Sequence, residues 1–363
     1  MTQYPDSRLV IDLNALAANY QFLKAKAEGT LCAGVVKANA YGMGVEPVAK
    51  RLAKEGCTQF FVATLDEALE LRKVIKKQEV AVFHGVRAGQ EKELIAQNIT
   101  PVINDIYQLD VWLAAAKKAA QKLPVILHFD TGMNRLGMHF ESAADVALKL
   151  ASGALDVRYV MSHLACANEL EHALNKTQLK HFNTVRKHFP GVPVSLANSA
   201  GVFLGDCYHF NMVRPGVALY GVSPMHQEGV MQPVANVYAK VLQIRTLKKA
   251  ETVGYGATQT VPAGHRLAVV PVGYADGYMR SLSRKGAAFA EGKLLPLVGR
   301  VSMDLIVLDV TDIPEARLTV GTEVELLGAN VTVDKLAREA GTIGYEILTR
   351  LGSRFEKEYK GSV

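Results

Sequence analysis

Lys37 ends the apolar run Gly34-Val35-Val36 and is followed by small residues. A lysine at the edge of an apolar interior is desolvated, which lowers its pKa and leaves an amine able to form a Schiff base with a carbonyl. Far along the chain, Asn198-Ser199-Ala200-Gly201 offers a hydroxyl and free N–H groups at a predicted helix start, which suits a phosphate. Gly216, after Arg214-Pro215, lets the backbone approach a ligand closely. A Schiff-base lysine plus a phosphate cradle points to pyridoxal 5'-phosphate. Two more polar segments, Asp130-Thr131-Gly132-Met133-Asn134-Arg135 and His163, follow apolar runs in the same way. Taken singly, each of these residues also fits a solvated rim position, and Lys37 a snorkelling side chain.

Short apolar runs must position these groups. They fall at 33–36, 60–63, 80–84, 100–103, 125–129, 157–162, 192–196 and 211–214, with amphipathic helical stretches such as 66–73 and 109–122 between them. Eight strands, apolar on both faces and each followed by a helix or helical turn, are the pattern of a (β/α)8 barrel, whose active site lies at the C-terminal strand ends. A doubly wound open sheet is the alternative, but no strand is followed by G-x-G-x-x-G. The polar segments above all sit at predicted C-terminal strand ends. Before the barrel comes a strand-like opening near residues 8–13, with Asn14 as the expected cap of the first helix. Near 223–233 the pattern changes to β: 237–246, 266–272, 294–298, 302–310 and 323–327, with one helix at 333–340. The reading is α/β: an N-terminal (β/α)8 TIM barrel over 1–228, its strand near 8–13 free to join the second domain, then a C-terminal β-rich domain over 229–363.

Composition narrows the class. The 363 residues are 49% hydrophobic and 21% charged, enough for a full core. No apolar run approaches a bilayer span, and Met1-Thr2-Gln3-Tyr4-Pro5-Asp6 lacks the features of a secretory signal. Cys32, Cys57, Cys166 and Cys207 are scattered, without a C-x-x-C pair, so neither a disulfide scaffold nor a zinc ribbon is expected. A cytoplasmic protein with buried thiols and no metal is the plain reading. The net charge of +6 comes from thinly spread lysines and arginines, which speaks for an anion-binding enzyme and against nucleic acid.

Val35-Val36-Lys37-Ala38-Asn39-Ala40-Tyr41-Gly42 resembles the cofactor-attachment motif of the bacterial alanine racemase family. The resemblance continues through Thr131-Gly132-Met133-Asn134-Arg135-Leu136-Gly137, Ala197-Asn198-Ser199-Ala200 and Val213-Arg214-Pro215-Gly216. In the second half it takes in Val253-Gly254-Tyr255-Gly256, Gly273-Tyr274-Ala275-Asp276-Gly277, Gly299-Arg300-Val301-Ser302-Met303-Asp304 and Gly344-Tyr345-Glu346. The resemblance implies a pyridoxal-phosphate-dependent isomerase that interconverts L- and D-alanine and supplies D-alanine for peptidoglycan. Lys37 and Tyr255 would serve opposite faces of the substrate, Tyr255 helped by a histidine, His163, itself bonded to Arg214. Ser199, Tyr345, Gly216 and Val217 would hold the phosphate with Tyr41 beside it. Arg135 would bond the cofactor's phenolic oxygen near the substrate carboxylate, the Met303 backbone would meet that carboxylate, and Tyr274 would narrow the entrance. Without the resemblance, Tyr255, Tyr274 and Tyr345 fit ordinary packing in a β domain.

Arg214 also separates reaction classes. An arginine cannot take a proton from the cofactor's pyridine nitrogen, so the ring is a weaker electron sink than one facing a carboxylate. That suits racemisation and speaks against a decarboxylase on the same barrel. Related racemases acting on serine or on many amino acids stay open, as does a non-catalytic pyridoxal-phosphate-binding protein, though such proteins lack the β domain. Two positions depart from the family. Met43 stands where Tyr-Gly-His-Gly is frequent, and His128 where many members carry a carbamylated lysine, leaving Arg135 to be held by an anion or by His128 itself. A short linker near residue 230 separates Lys37 from Tyr255, so a head-to-tail homodimer with shared sites is expected.

Overall fold

The computed structural model describes residues 5–225 and 229–362. The expected boundary between residues 228 and 229 touches the segment 226–228, and Met1 to Tyr4 also lie outside the described residues. Eight parallel strands close into a ring. The first is interrupted, Leu31–Cys32 then Gly34–Val35; the rest are Gln59–Val62, Glu79–Val82, Ile99–Ile103, Leu123–Asp130, Leu155–Met161, Val194–Ser195 and Met212–Val213. Each pairs with its neighbour in chain order, as Gly34 with Phe60, Phe60 with Val80 and Val194 with Val160. Closure comes from the eighth strand. Met212 pairs with Leu31, while the N–H groups of Asn211 and Arg214 donate to Val194 O (3.1 Å) and Ala197 O (2.9 Å) on its other side. Gln59–Val62 and Ile99–Ile103 are buried at every position, as strands covered on both faces must be.

Helix starts follow local chemistry. Thr64 and Glu67 form a reciprocal capping box at Leu65–Val74, and Asp105 caps Ile106–Ala119. The first helix, Leu13–Lys26, is capped by Asp12, whose carboxylate accepts from Asn14 N and Ala15 N. Asn14, the expected cap, is the second residue of the helix; the extended backbone of Asp12 aims its side chain at the free N–H groups.

The second body is a nine-stranded sheet in the order Gln243–Thr246, Arg266–Val270, Ile306–Asp309, Lys293–Val298, Ala287–Ala290, Glu323–Leu327, Ala235–Lys240, Ser7–Asp12 and Glu356–Lys360. Ser7–Asp12 thus sits between Ala235–Lys240 (antiparallel) and Glu356–Lys360 (parallel), with Leu9 and Ile11 fully buried. The run 237–246, expected as one strand, is two. At Val241 and Leu242 the chain changes partner, the N–H groups bonding Thr322 O (2.9 Å) and Val269 O (2.8 Å) in turn. Among the described residues, no helix is long and apolar enough to cross a membrane.

Candidate active site

The first barrel strand ends at a short turn, Lys37–Tyr41, of unusual hand. Ala38, Asn39, Ala40 and Tyr41 all have positive φ, between +52° and +54°. Left-handed backbone costs a residue with a Cβ roughly 1–2 kcal/mol. Local bonds oppose that cost: Glu67 Oε1 accepts from Ala38 N at 2.7 Å, and Asn39 Oδ1 accepts from Val45 N at 2.7 Å. Within the turn, Gly42 N donates to Ala38 O (2.9 Å) and Gly44 N to Asn39 O (2.9 Å). The Lys37 amine lies 5.8 Å from the Phe83 ring centre. Burial lowers its pKa, the Arg135 charge lowers it further, and Glu67 opposes both.

Tyr41 is buried, stacked on Tyr220 at 4.6 Å and facing the Tyr345 ring at 6.2 Å. Gly216 must be glycine because a Cβ there would overlap the Tyr41 hydroxyl. Ser199 Oγ accepts from Gly216 N (2.9 Å) and Ala218 N (3.3 Å), which pins the turn Val217–Tyr220 and leaves the serine proton free to donate. Ser199, Gly216, Val217, Tyr41 and Tyr345 therefore gather as a cradle able to hold a phosphate.

Arg214 is buried, with Nη1 on Ser195 Oγ and Nη2 on Ser162 O at 2.6 Å. Its Nε has no partner. Burial lowers its pKa to about 9, so it stays a cation at neutrality. A buried, unpaired N–H is costly, and a neutral ring nitrogen would satisfy it. The donor set thus fits a phosphorylated pyridine: Lys37 for a carbonyl, the Ser199 turn for phosphate, and Arg214 Nε for the ring nitrogen.

His163 is within 3.4 Å of Asn198 Nδ2 through its Nε2. Burial, then the charges of Arg214 and Arg135, push its pKa well below 6.5, so it is neutral. The expected hydrogen bond between His163 and Arg214 is not made among the described residues. Both Nη atoms of Arg214 are turned to Ser195 and Ser162, and its influence on His163 is through charge. The expected brace of Arg135 by His128 also fails. His128 Nδ1 bonds Asn104 Oδ1 at 2.8 Å, and burial lowers its pKa to about 3. The Arg135 loop is shaped instead by Asp130, whose carboxylate accepts from Gly132 N and Met133 N (2.8 Å each) and Arg135 N (3.2 Å).

Tyr255, Tyr274 and Met303 form a separate face on the β-rich body, all exposed. Two loops carry Tyr274 and Met303 and are stitched together: Tyr274 N donates to Ser302 O (3.1 Å) and Ala275 N to Met303 O (3.0 Å). Arg354 locks them, bidentate on buried Asp276 (2.6 and 2.7 Å) and reaching Asp304 (2.7 Å). No described bond or ring contact joins this face to Lys37. Sequence reasoning missed Glu67, Asn104, Ser195 and Arg354. Glu67 was detectable, being three residues after Thr64 in a capping-box spacing; the others are brought in only by the fold. Of the thiols expected to be buried, Cys32 and Cys57 are, Cys166 is half-buried, and Cys207 is exposed on the loop turn Asp206–Tyr208.

Comparison with known proteins gives one answer. Residues 11–224 match the family model described as alanine racemase, N-terminal domain, and residues 234–359 match alanine racemase, C-terminal domain. A catabolic alanine racemase from Mesorhizobium japonicum is 46% identical over 97% of this chain and 93% of its own length. An alanine racemase from Rhodospirillum rubrum is 43% identical over 97% of this chain and 96% of its own length. Among solved structures, the Bartonella henselae alanine racemase with covalently bound pyridoxal phosphate superposes with a TM-score of 0.93 at 36% identity, covering 98% of this chain and 100% of that one.

Proposed function

The chain belongs to the alanine racemase family, and from that premise we propose that it interconverts L- and D-alanine with Lys37 and Tyr255 as the two proton carriers. Pyridoxal 5'-phosphate supplies an electron-withdrawing ring that accepts the electron pair left when the α-proton departs. The observation that carries the reading is the unpaired Nε of buried Arg214. Aimed at the ring nitrogen, a guanidinium donates a hydrogen bond and yields no proton to share. Held this way, the cofactor would be a moderate electron sink, which favours racemisation over side reactions.

The remaining roles follow from chemistry at named atoms. Ser199, Gly216 and Val217 would hold the phosphate, and Tyr41 and Tyr345 would close over it. Arg135 would bond the phenolic oxygen and, with the Met303 backbone, would orient the substrate carboxylate. Tyr274 narrows the entrance. Lys37, with its lowered pKa, is suited to take and return a proton near neutrality. A free phenol has a pKa near 10, so Tyr255 needs cationic surroundings. Neutral His163 cannot supply that charge; Arg214, Arg135 and Lys37 of the barrel mouth that Tyr255 covers would.

Both proton carriers must lie within about 3 Å of one α-carbon's proton. Tyr255 is open to solvent and, among the described residues, no hydrogen bond or ring contact joins it to Lys37, which supports a homodimer in which each Tyr255 covers the partner's barrel mouth. Use in the cytoplasm to make D-alanine for peptidoglycan belongs to the same proposal. Assay of L-to-D conversion of alanine against serine, lysine and arginine tests the substrate; equal rates on all four would replace alanine with a broad specificity. Deletion in the native host tests the biosynthetic role, with growth dependent on added D-alanine as the expected result.

A further inference from the structure

The left-handed turn behind Lys37 is tied down from outside the barrel. Lys357 Nζ donates to Gly42 O at 2.8 Å, and Tyr359 Oη donates to Met43 O at 2.9 Å. Both side chains leave one face of the strand Glu356–Lys360, at the edge of the nine-stranded sheet. The loop is shaped to receive them: at Gly44, with φ +100°, a Cβ would overlap the Tyr359 hydroxyl. Gly42 packs as closely on the other side, where a Cβ would lie 2.8 Å from Leu348 O in Gly344–Thr349, the helix that carries Tyr345.

Four successive residues with side chains at φ between +52° and +54° persist only where the surroundings over-determine them. Glu67 and Asn39 secure the start of the turn and its exit at Val45. The carbonyls of Gly42 and Met43, between those points, are secured by Lys357 and Tyr359. The Met43 side chain is fully buried and offers no polar hold, so this segment is fastened through its backbone.

We infer that Lys357 and Tyr359 are positioning residues for the cofactor. By holding the Gly42 and Met43 carbonyls they keep residues 38–41 left-handed, and with them the placement of the Lys37 amine and the Tyr41 phenol. The inference deepens the reading above and rests on Lys37 as the attachment lysine.

Titration of apo-protein with pyridoxal 5'-phosphate tests it, with the dissociation constant and the fraction fixed to Lys37 by borohydride as readouts. Lys357→Met and Tyr359→Phe should each weaken cofactor binding by about 3–10-fold, and the pair by about 10–100-fold, as expected for one and two net hydrogen bonds. Glu358→Gln is the control: Glu358 lies on the same strand and bonds Arg8 at 2.9 Å, away from the loop. It should leave the constant within about twofold, even where the apo-protein's melting temperature falls. An unchanged constant in the double variant, or equal weakening by Glu358→Gln, would overturn the inference while Lys37 remains the attachment site. Should the double variant fail to fold, the single variants decide by the same criterion. Fixation of the cofactor at another lysine in the parent chain would overturn the Lys37 reading and the inference with it.

Discussion

The two faces that would enclose a substrate are built in opposite ways. In the barrel mouth, Arg214 and Ser199 are each 3% exposed and Tyr41 is 5% exposed. The Nη atoms of Arg214, the Oγ of Ser199, the Nδ1 of His128 and the side-chain amide of Asn104 have partners in the chain, while the buried Nε of Arg214 has none. On the β-rich face, Tyr255 is 73% exposed, Met303 53% and Tyr274 44%. That face is stiffened from behind by Arg354 but covered by nothing. A preformed cationic pocket can be completed by a small anion; an exposed aromatic face needs a second protein surface. The contrast is what a site assembled from two chains would leave on each one.

The largest effects should come from removing one proton carrier from each face. Lys37→Ala and Tyr255→Phe should each lower racemisation by about 10²–10⁴-fold. Tyr255→Phe should still exchange the α-proton of one enantiomer with deuterated water, measured by mass spectrometry; loss of exchange from both would remove Lys37 as an independent carrier. Mixing the two variants and allowing subunits to exchange should restore about a quarter of the parental sites, since each heterodimer has one intact site and one doubly damaged. No recovery would mean that both faces belong to the same chain, and the comparison would break.

Next in size is Arg214→Glu. Racemisation should fall on the order of 10²-fold, with keto acid appearing as a side product. The ratio of pyruvate to D-alanine reads the change, and an unaltered ratio would show that Arg214 does not meet the ring nitrogen. A smaller effect tests the charge of the pocket. Lys37 attacks only as the neutral amine, so cofactor capture by apo-protein should accelerate as pH rises through its lowered pKa. Arg135→Met removes one cause of that lowering. The acid limb should move to higher pH and capture at neutrality should slow several-fold in stopped-flow absorbance; a shift to lower pH would contradict the electrostatic account.

The smallest effect sharpens the contrast in packing. Asn104 bonds His128, Phe83 O (2.9 Å) and Val102 O (2.8 Å) in the buried wall. Asn104→Ala should cost about 1–3 kcal/mol in urea unfolding because it leaves buried groups unpaired. Met303→Gln on the open face should stay within about 0.5 kcal/mol. Equal costs would mean that the two faces do not differ in rigidity as their burial implies.

The barrel was legible because burial on both faces makes its strands apolar runs, so 60–63 and 100–103 mark Gln59–Val62 and Ile99–Ile103 to within a residue. The same periodicity put Lys37, Asp130 and Arg214 at C-terminal strand ends, and the structure has them just after Gly34–Val35, at the end of Leu123–Asp130 and after Met212–Val213. What stayed hidden has physical reasons. Glu356–Lys360 reads Glu-Lys-Glu-Tyr-Lys, an edge strand with little apolar signal. The hand of residues 38–41 contradicts the preferences of alanine and tyrosine, so no propensity reveals it. Val241 and Leu242 continue an apolar pattern through a bend that only the change of strand partner creates. Ser195 and Arg354 act through other residues across long stretches of chain, and composition near them carries no trace of that.

The position of Ser7–Asp12 in the nine-stranded sheet has a consequence for synthesis. This strand leaves the ribosome long before either neighbour, Ala235–Lys240 or Glu356–Lys360, has been made. At ~5–20 residues per second, its apolar residues Leu9 and Ile11 wait on the order of tens of seconds for cover while the entire barrel is translated between them and their partners. The nascent chain therefore carries an unfilled seam until its final stretch emerges, and a ribosome stalled before Ala235–Lys240 has emerged would display a finished barrel trailing a sticky, unpaired strand for chaperones to recognise.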